Sequence, residues 1–100
     1  MKRYRVVLSR QAQLDLAIEH DYLLDVSGAR VAAEQTNAVR DYCRGFDISP
    51  LRGRLRHDLG AGIRIIGYRK RAILLFSVEN DTVTFLRIFH GRQDWPSRFR

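Results

Sequence analysis

The sequence predicts an α+β domain in which a helical hairpin packs on one face of an antiparallel sheet, in the order β-α-α-β-β-β. Three observations carry that expectation. Residues 63–95 hold three apolar runs, Ile63 to Tyr68, Ala72 to Val78 and Val83 to Phe89, rich in β-branched and aromatic residues. Their breaks, Arg69-Lys70-Arg71 and Glu79-Asn80-Asp81, are short and polar, which is the pattern of two consecutive hairpins. Residues 10–44 carry apolar residues at helical spacing, interrupted once at Ser27-Gly28, which implies two antiparallel helices. At the start, Tyr4, Val6 and Leu8 share one parity and mark a short strand.

Taken in order, Ser9 stands where a helix N-cap belongs, its hydroxyl able to accept a free first-turn N–H. The first helix is expected from Arg10 to about Leu24, with Leu14, Ala17, Ile18 and Tyr22 on its apolar face and Asp15 and Glu19 outside it. Ser27 is expected to cap a second helix from about Ala29 to Arg44, whose stripe is Val31, Ala38, Val39, Tyr42 and Phe46. Gly45 and Pro50 suit its end. Leu51 to Gly62, with three glycines and three arginines, reads as a loop. The middle run of the meander, AILLFSV, is apolar on both parities, so it is expected to be central or covered on both faces. The two helices cover one face of the sheet and leave the other partly open.

Parity also places the charges. An arginine is costly on a core face, so Arg64 and Arg87 are assigned to the open face, with Phe85 and Phe89 beside Arg87. The result is an arginine-and-aromatic surface suited to an apolar, acidic peptide or a strand of RNA. Trp95-Pro96 and Phe99 form an apolar tail; Trp95 is expected to pack back on the sheet edge, or else to serve as an exposed anchor.

The 100 residues are expected to form one domain, 1–100. No apolar run approaches the ~20 residues of a membrane helix, which argues against a membrane partner, and Val6 to Leu8 is too short for a signal-peptide core. With Cys43 alone there is no internal disulfide, and a cytoplasmic location is expected. The formal net charge is +7, and it is lopsided. Residues 1–50 carry seven Lys/Arg against seven Asp/Glu, whereas residues 51–100 carry eleven against four. Sixteen of the eighteen cations are arginine, the side chain that pairs bidentately with carboxylate or phosphate; an acidic protein segment or a nucleic acid is the expected partner.

His20, His57 and His90 have no partners at metal-ligand spacing, and neither a phosphate-binding glycine motif nor a serine nucleophile signature is present. No cofactor is expected. The one candidate catalytic set is Arg64, Arg87 and His90, with His57 as a further member. Metal-free RNA cleavage needs a base, an acid and cations for the phosphorane charge, and these residue types supply them. The plainer reading of His90 is a strand-end residue hydrogen-bonded to a neighbouring loop.

Several stretches resemble the RelE/ParE superfamily of type II toxin–antitoxin toxins, and its ParE branch most. They are YRVVLSRQAQLDLAIEHDYL with Ala12, Asp15 and Leu16, the turn Gly62 to Arg64, and Leu86-Arg87-Ile88 followed by His90-Gly91-Arg92 and Asp94. The resemblance implies a toxin neutralised by a cognate antitoxin that wraps it with an acidic, partly helical segment, forming a hetero-oligomer. For the ParE branch it implies DNA gyrase as target. For the RelE branch it implies ribosome-dependent mRNA cleavage, with Arg64 and His90 at matching positions. An inactive toxin-like binding module is the third reading. Gly91 stands where several RNase members carry Tyr, and the loop lacks lysine, with Arg52, Arg54 and Arg56 in its place. Antitoxin or target contacts are expected at Arg52, Arg54, Arg56, Arg64, Arg87, Phe89, Arg92 and Trp95.

Overall fold

Strand β1 (Arg5–Leu8) leads into helices α1 (Arg10–Ser27) and α2 (Ala29–Arg44), in a computed structural model that describes residues 1–98. After a 3-10 turn at Gly45–Asp47 come β2 (Arg54–Leu55), β3 (Arg64–Tyr68), β4 (Ala72–Glu79), β5 (Thr82–His90) and the short α3 (Trp95–Arg98). Phe99, grouped with Trp95 in the apolar tail, lies outside the described residues. The sheet has five strands in the order β1-β5-β4-β3-β2. The three meander strands form at the expected places, and β2 adds a two-residue strand within the stretch expected to be loop. The sheet is not wholly antiparallel, because β1 runs parallel to β5.

Ser9 caps α1 as expected, its hydroxyl accepting from the Ala12 N–H at 3.0 Å. The same hydroxyl donates to the Leu86 carbonyl, so one side chain ties the helix start to β5. The expected cap of α2 is wrong. Ser27 is the last residue of α1, and Gly28 makes the break, at φ 88, without a side-chain cap. A left-handed φ there favours glycine.

The α1 face is also reversed. Ala12, Leu16 and Leu23 are buried, whereas Leu14, Ile18 and Tyr22 are 47%, 63% and 44% exposed. Asp15 and Glu19, expected to point outward, turn toward β5. In α2 the buried positions are Ala32, Thr36, Val39 and Cys43, and the Thr36 hydroxyl is satisfied by the Ala32 carbonyl at 2.8 Å.

The main core lies between the helices and the sheet. Phe46 stands edge-on to Phe76 and Phe85, with ring centroids 5.1 Å apart in both pairs. Leu74, Val83 and Ile88 complete this layer from the sheet. β4 is the central strand and is covered on both sides, as its apolar run requires. Leu74 and Phe76 face the helices, while Leu75 joins a second cluster with Ile65 and Phe89. Leu59, Ile63, Ile73 and Trp95 pack on that cluster, so the face expected to stay open carries a thin cover.

A bulge in β5 decides which side chains reach which face. Leu75 pairs with Arg87 and Phe76 with Phe85, leaving Leu86 as the extra residue. An extra residue reverses the alternation beyond it. Phe85 therefore sits fully buried on the helix side, not beside Arg87 on the other face as parity alone predicted. Arg64 is corrected too: it pairs with Phe76 and shares its parity with Ile66, so it lies on the helix side.

Candidate functional site

β1 stops at Leu8, so the later half of β5 has no strand beside it there. α1 supplies the missing partner through a side chain. Asp15 Oδ2 accepts from the Ile88 N–H at 2.8 Å, in place of a strand carbonyl. Both oxygens of Asp15 accept from the Arg87 guanidinium, each at 2.9 Å, a fork-to-fork pair. The Asp15 side chain is only 10% exposed. Hydrogen bonding to Asp15 raises the Arg87 pKa above its usual value, against the opposing effect of burial. Arg87 also stacks on Phe89, its guanidinium 4.6 Å from the ring centroid.

One turn further along α1, Glu19 accepts from Arg92 at 2.7 Å, and His90 Nε2 stands 3.9 Å from it. Arg92 lies 4.0 Å over the Tyr22 ring. His90 Nδ1 accepts from the Arg92 N–H at 3.2 Å, and Gln93 accepts the His90 N–H at 3.0 Å. These bonds match the plainer expectation for His90, a strand-end residue bound to a neighbouring turn. Sequence reasoning missed Asp15 and Glu19 as inward groups. The only signal for Asp15 was its place in the Ala-x-x-Asp-Leu pattern.

On the second face, Ser9, Gln11, Arg56, Asp58, Leu59, Leu86, Arg87 and Pro96 line a broad groove. Arg56 is held bidentately by Asp58, at 2.8 and 2.7 Å, which raises the pKa of Arg56 and lowers that of Asp58. Its guanidinium lies 5.6 Å over Trp95, whose ring stacks on Phe89 at 6.2 Å. Trp95 thus covers the face of the sheet and not its edge. Arg54, on the edge strand, is exposed and lines a shallow depression with Ile65, Ile73 and Trp95.

The candidate residues fall into three groups. Arg54, Arg56, Arg87 and Trp95 gather on the second face. Arg92 lies beside the α1 stripe. Arg52 and Arg64 sit elsewhere, near the end of α2. Arg52 donates to the carbonyls of Gly45, Ile48 and Ser49 and lies 4.3 Å over Phe46, so its guanidinium fastens the loop to the helix end. Arg64 donates to the Arg52 carbonyl at 3.2 Å. Phe89 is fully buried and offers no surface to a partner. His57 lies exposed in a 3-10 turn.

Arg64, Arg87 and His90 do not converge. Arg64 and His90 both face the helices, but Arg64 of β3 pairs with Phe76 of β4, whereas His90 of β5 pairs with Ala72 of β4. Two strand spacings and four residues of rise separate them by roughly 15 Å. Arg87 has the parity of the other face.

Fold and surface together define a small basic α+β domain, whose second face carries half-buried arginines supported by aromatic rings. The chain belongs to the ParE toxin family of type II toxin–antitoxin systems, whose family model matches residues 6–95. A chain of the chromosomal ParDE toxin–antitoxin system of P. aeruginosa superimposes with a TM-score of 0.75 at 19% identity, over 88% of this chain and 96% of that one. At that identity the likeness is one of fold. A chain of the Mycobacterium tuberculosis RelBE2 toxin–antitoxin complex gives 0.63 at 28% identity, over 90% and 93%. No curated protein matches significantly.

Proposed function

We propose that this protein is a toxin that binds DNA gyrase and blocks it, and that a cognate antitoxin holds it inactive. Membership of the ParE family supports the class of target. The observation that carries the choice is the dispersal of Arg64, Arg87 and His90. General acid–base cleavage needs its groups within hydrogen-bond reach of one phosphate. Here Arg87 is paired with Asp15, and His90 Nδ1 is bonded to a backbone N–H. Gly91 adds a steric reason: a Cβ there would stand 2.5 Å from the Lys70 carbonyl oxygen, so the tyrosine carried by several RNase members has no room.

The antitoxin supplies an acidic, partly helical segment. Its apolar side covers the Leu14, Ile18 and Tyr22 stripe, and its carboxylates meet Arg92 and the basic groove of Arg56 and Arg87. The complex is a hetero-oligomer. The test is a gyrase supercoiling assay with the purified protein, with and without the product of the adjacent small gene. Inhibition that this product reverses is expected. Unchanged supercoiling at micromolar excess would sink the reading.

One observation favours a second reading, mRNA cleavage on the ribosome: the 28% identity to a chain of the RelBE2 complex. Under it, translating ribosomes incubated with the protein yield cut mRNA, and Arg64→Ala or His90→Ala abolishes the cuts.

A further inference from the structure

Two hairpin turns link the three meander strands, and they solve the same backbone problem with different residues. In the β4–β5 turn, Asn80 and Asp81 have φ 50 and 64. Asn and Asp tolerate the left-handed region, so that choice is conventional. In the β3–β4 turn, closed by the Arg71 N–H donating to the Tyr68 carbonyl at 2.8 Å, the same conformation falls on Arg69 and Lys70, with φ 48 and 56. Long side chains are disfavoured there, and residues held in such regions cluster at functional sites. All three residues of this turn, Arg69, Lys70 and Arg71, are exposed. No ion pair among the described residues involves any of them.

We propose that the Arg69–Lys70–Arg71 turn is a contact site for the phosphate backbone of duplex nucleic acid. The turn is braced. The Gly91 N–H donates to the Arg71 carbonyl at 2.8 Å, and the space a Cβ would need at Gly91 is filled by the Lys70 carbonyl. This packing brings the turn that carries Arg92 against its base. Arg71, at that base, also borders the small cavity lined by Glu19 and His90, which leaves Arg69 and Lys70 as the outermost charges.

The surroundings decide the class of partner. A protein interface needs an apolar centre. The large exposed apolar residues are Met1, Leu14, Ile18, Tyr22, Leu24, Val26, Leu51 and Leu55, and none belongs to this turn. A single strand needs an aromatic platform for its bases. Tyr68 is tilted on Tyr42 at 4.5 Å and has Arg69 over its ring at 5.6 Å, so it is already used. What remains is charge without apolar surface or free stacking surface. That suits the regularly spaced phosphates of a duplex, where cations act by releasing condensed counterions. The inference does not rest on the gyrase reading.

The test is fluorescence anisotropy of a labelled duplex of roughly 20 base pairs, between about 50 and 200 mM salt. The informative variant is Arg69→Asn with Lys70→Gly. It removes two charges and installs the residues this turn favours, so its melting temperature stays level or rises and misfolding is excluded. Duplex affinity of the variant is expected to fall by about tenfold to a hundredfold at the lower salt, and the slope of log K against log salt to shrink by about 2. Arg10→Gln with Arg40→Gln removes the same charge elsewhere and is expected to change affinity by less than about twofold. DNA and RNA duplexes run in parallel identify which source of the backbone is preferred. No binding by the unaltered protein, an unchanged slope in the turn variant, or an equal loss in the Arg10/Arg40 control would overturn the proposal. So would displacement of the duplex by polyglutamate at matched charge, which would make the turn a general acidic-protein site.

Discussion

The two faces of the sheet are both apolar, yet different kinds of structure cover them. On one face two long helices bring Ala12, Leu16, Val39, Cys43 and Phe46 against Leu74, Phe76 and Phe85. On the other, Ile65, Leu75 and Phe89 are covered by Leu59 from a 3-10 turn and Trp95 from a four-residue helix. Helices pack as rigid units and exclude water over their whole length. A turn and a chain end give a cover that can shift by small local movements. The arginines follow the same division. Arg54, Arg56 and Arg87 emerge on or beside the thin cover, where aromatic rings support two of them. The thicker apolar core lies on one face, and the arginines held by carboxylates and rings lie on the other.

The largest effect that tests this division is truncation of a buried ring on each side. Phe76 and Phe89 are both fully buried, so exposure does not distinguish them. The cost of a cavity depends on how well its walls collapse. Phe76→Ala is expected to cost about 4–5 kcal/mol in urea unfolding, and Phe89→Ala about 3 kcal/mol or less. Equal losses would break the comparison.

The next effect is at the seam between helix and sheet. Asp15→Ala leaves the Ile88 N–H and the Arg87 guanidinium without this carboxylate. The expected loss is about 2–4 kcal/mol, below the range for fully buried pairs because Arg87 keeps some contact with water. A double-mutant cycle with Arg87→Ala measures the coupling. Coupling near zero would mean that Asp15 acts only through Ile88.

The smallest effect belongs to Cys43, on the helix side. Burial pushes its thiol from the ordinary 9.0 up to about 12. The folded protein then holds a proton that the unfolded chain releases first. Stability from this group is full below pH 9 and falls as the pH rises from 9 toward 12. The limiting slope is about 1.4 kcal/mol per pH unit. Between pH 8 and pH 10 the unaltered protein should lose about 1.4 kcal/mol more stability than Cys43→Ala in unfolding experiments. Identical slopes would mean that the thiol is not sealed by the helix-side core.

What was legible in the sequence follows the range of the interactions. The span of α2, the three meander strands and the Ser9 cap of α1 are set by neighbours in the chain, and they fall where the sequence pattern places them, although Gly28 and not Ser27 opens α2. The face of α1 was misjudged because two carboxylates point inward, and their partners, Arg87 and Arg92, lie more than seventy residues away. No local pattern contains that information. The bulge at Leu86 is a single unpaired residue without a sequence signature, and it alone moved Phe85 across the sheet. Arg64 defeated the rule that charges avoid core faces by lying at the end of β3, where its guanidinium reaches the Arg52 carbonyl. Among the candidate site residues, Arg56, Arg87 and Trp95 lie together on the second face, but the carboxylates that orient the two arginines were not among the candidates.

The pairing of β1 with β5 has a consequence for how the chain is made. Arg5 lies opposite Thr82, so the first strand finds its neighbour only in a segment synthesised more than seventy residues later. Until β5 leaves the ribosome, β1 has no edge to join and Asp15 has no strand to cap. At about 5–20 residues per second, that interval lasts several seconds. Contacts this distant in sequence also slow the search itself, since loop closure must precede any gain from pairing. A growing chain therefore passes that interval with α1 and α2 exposed and the sheet unclosed. The finished surfaces, including the paired arginines of the second face, come into being together and late.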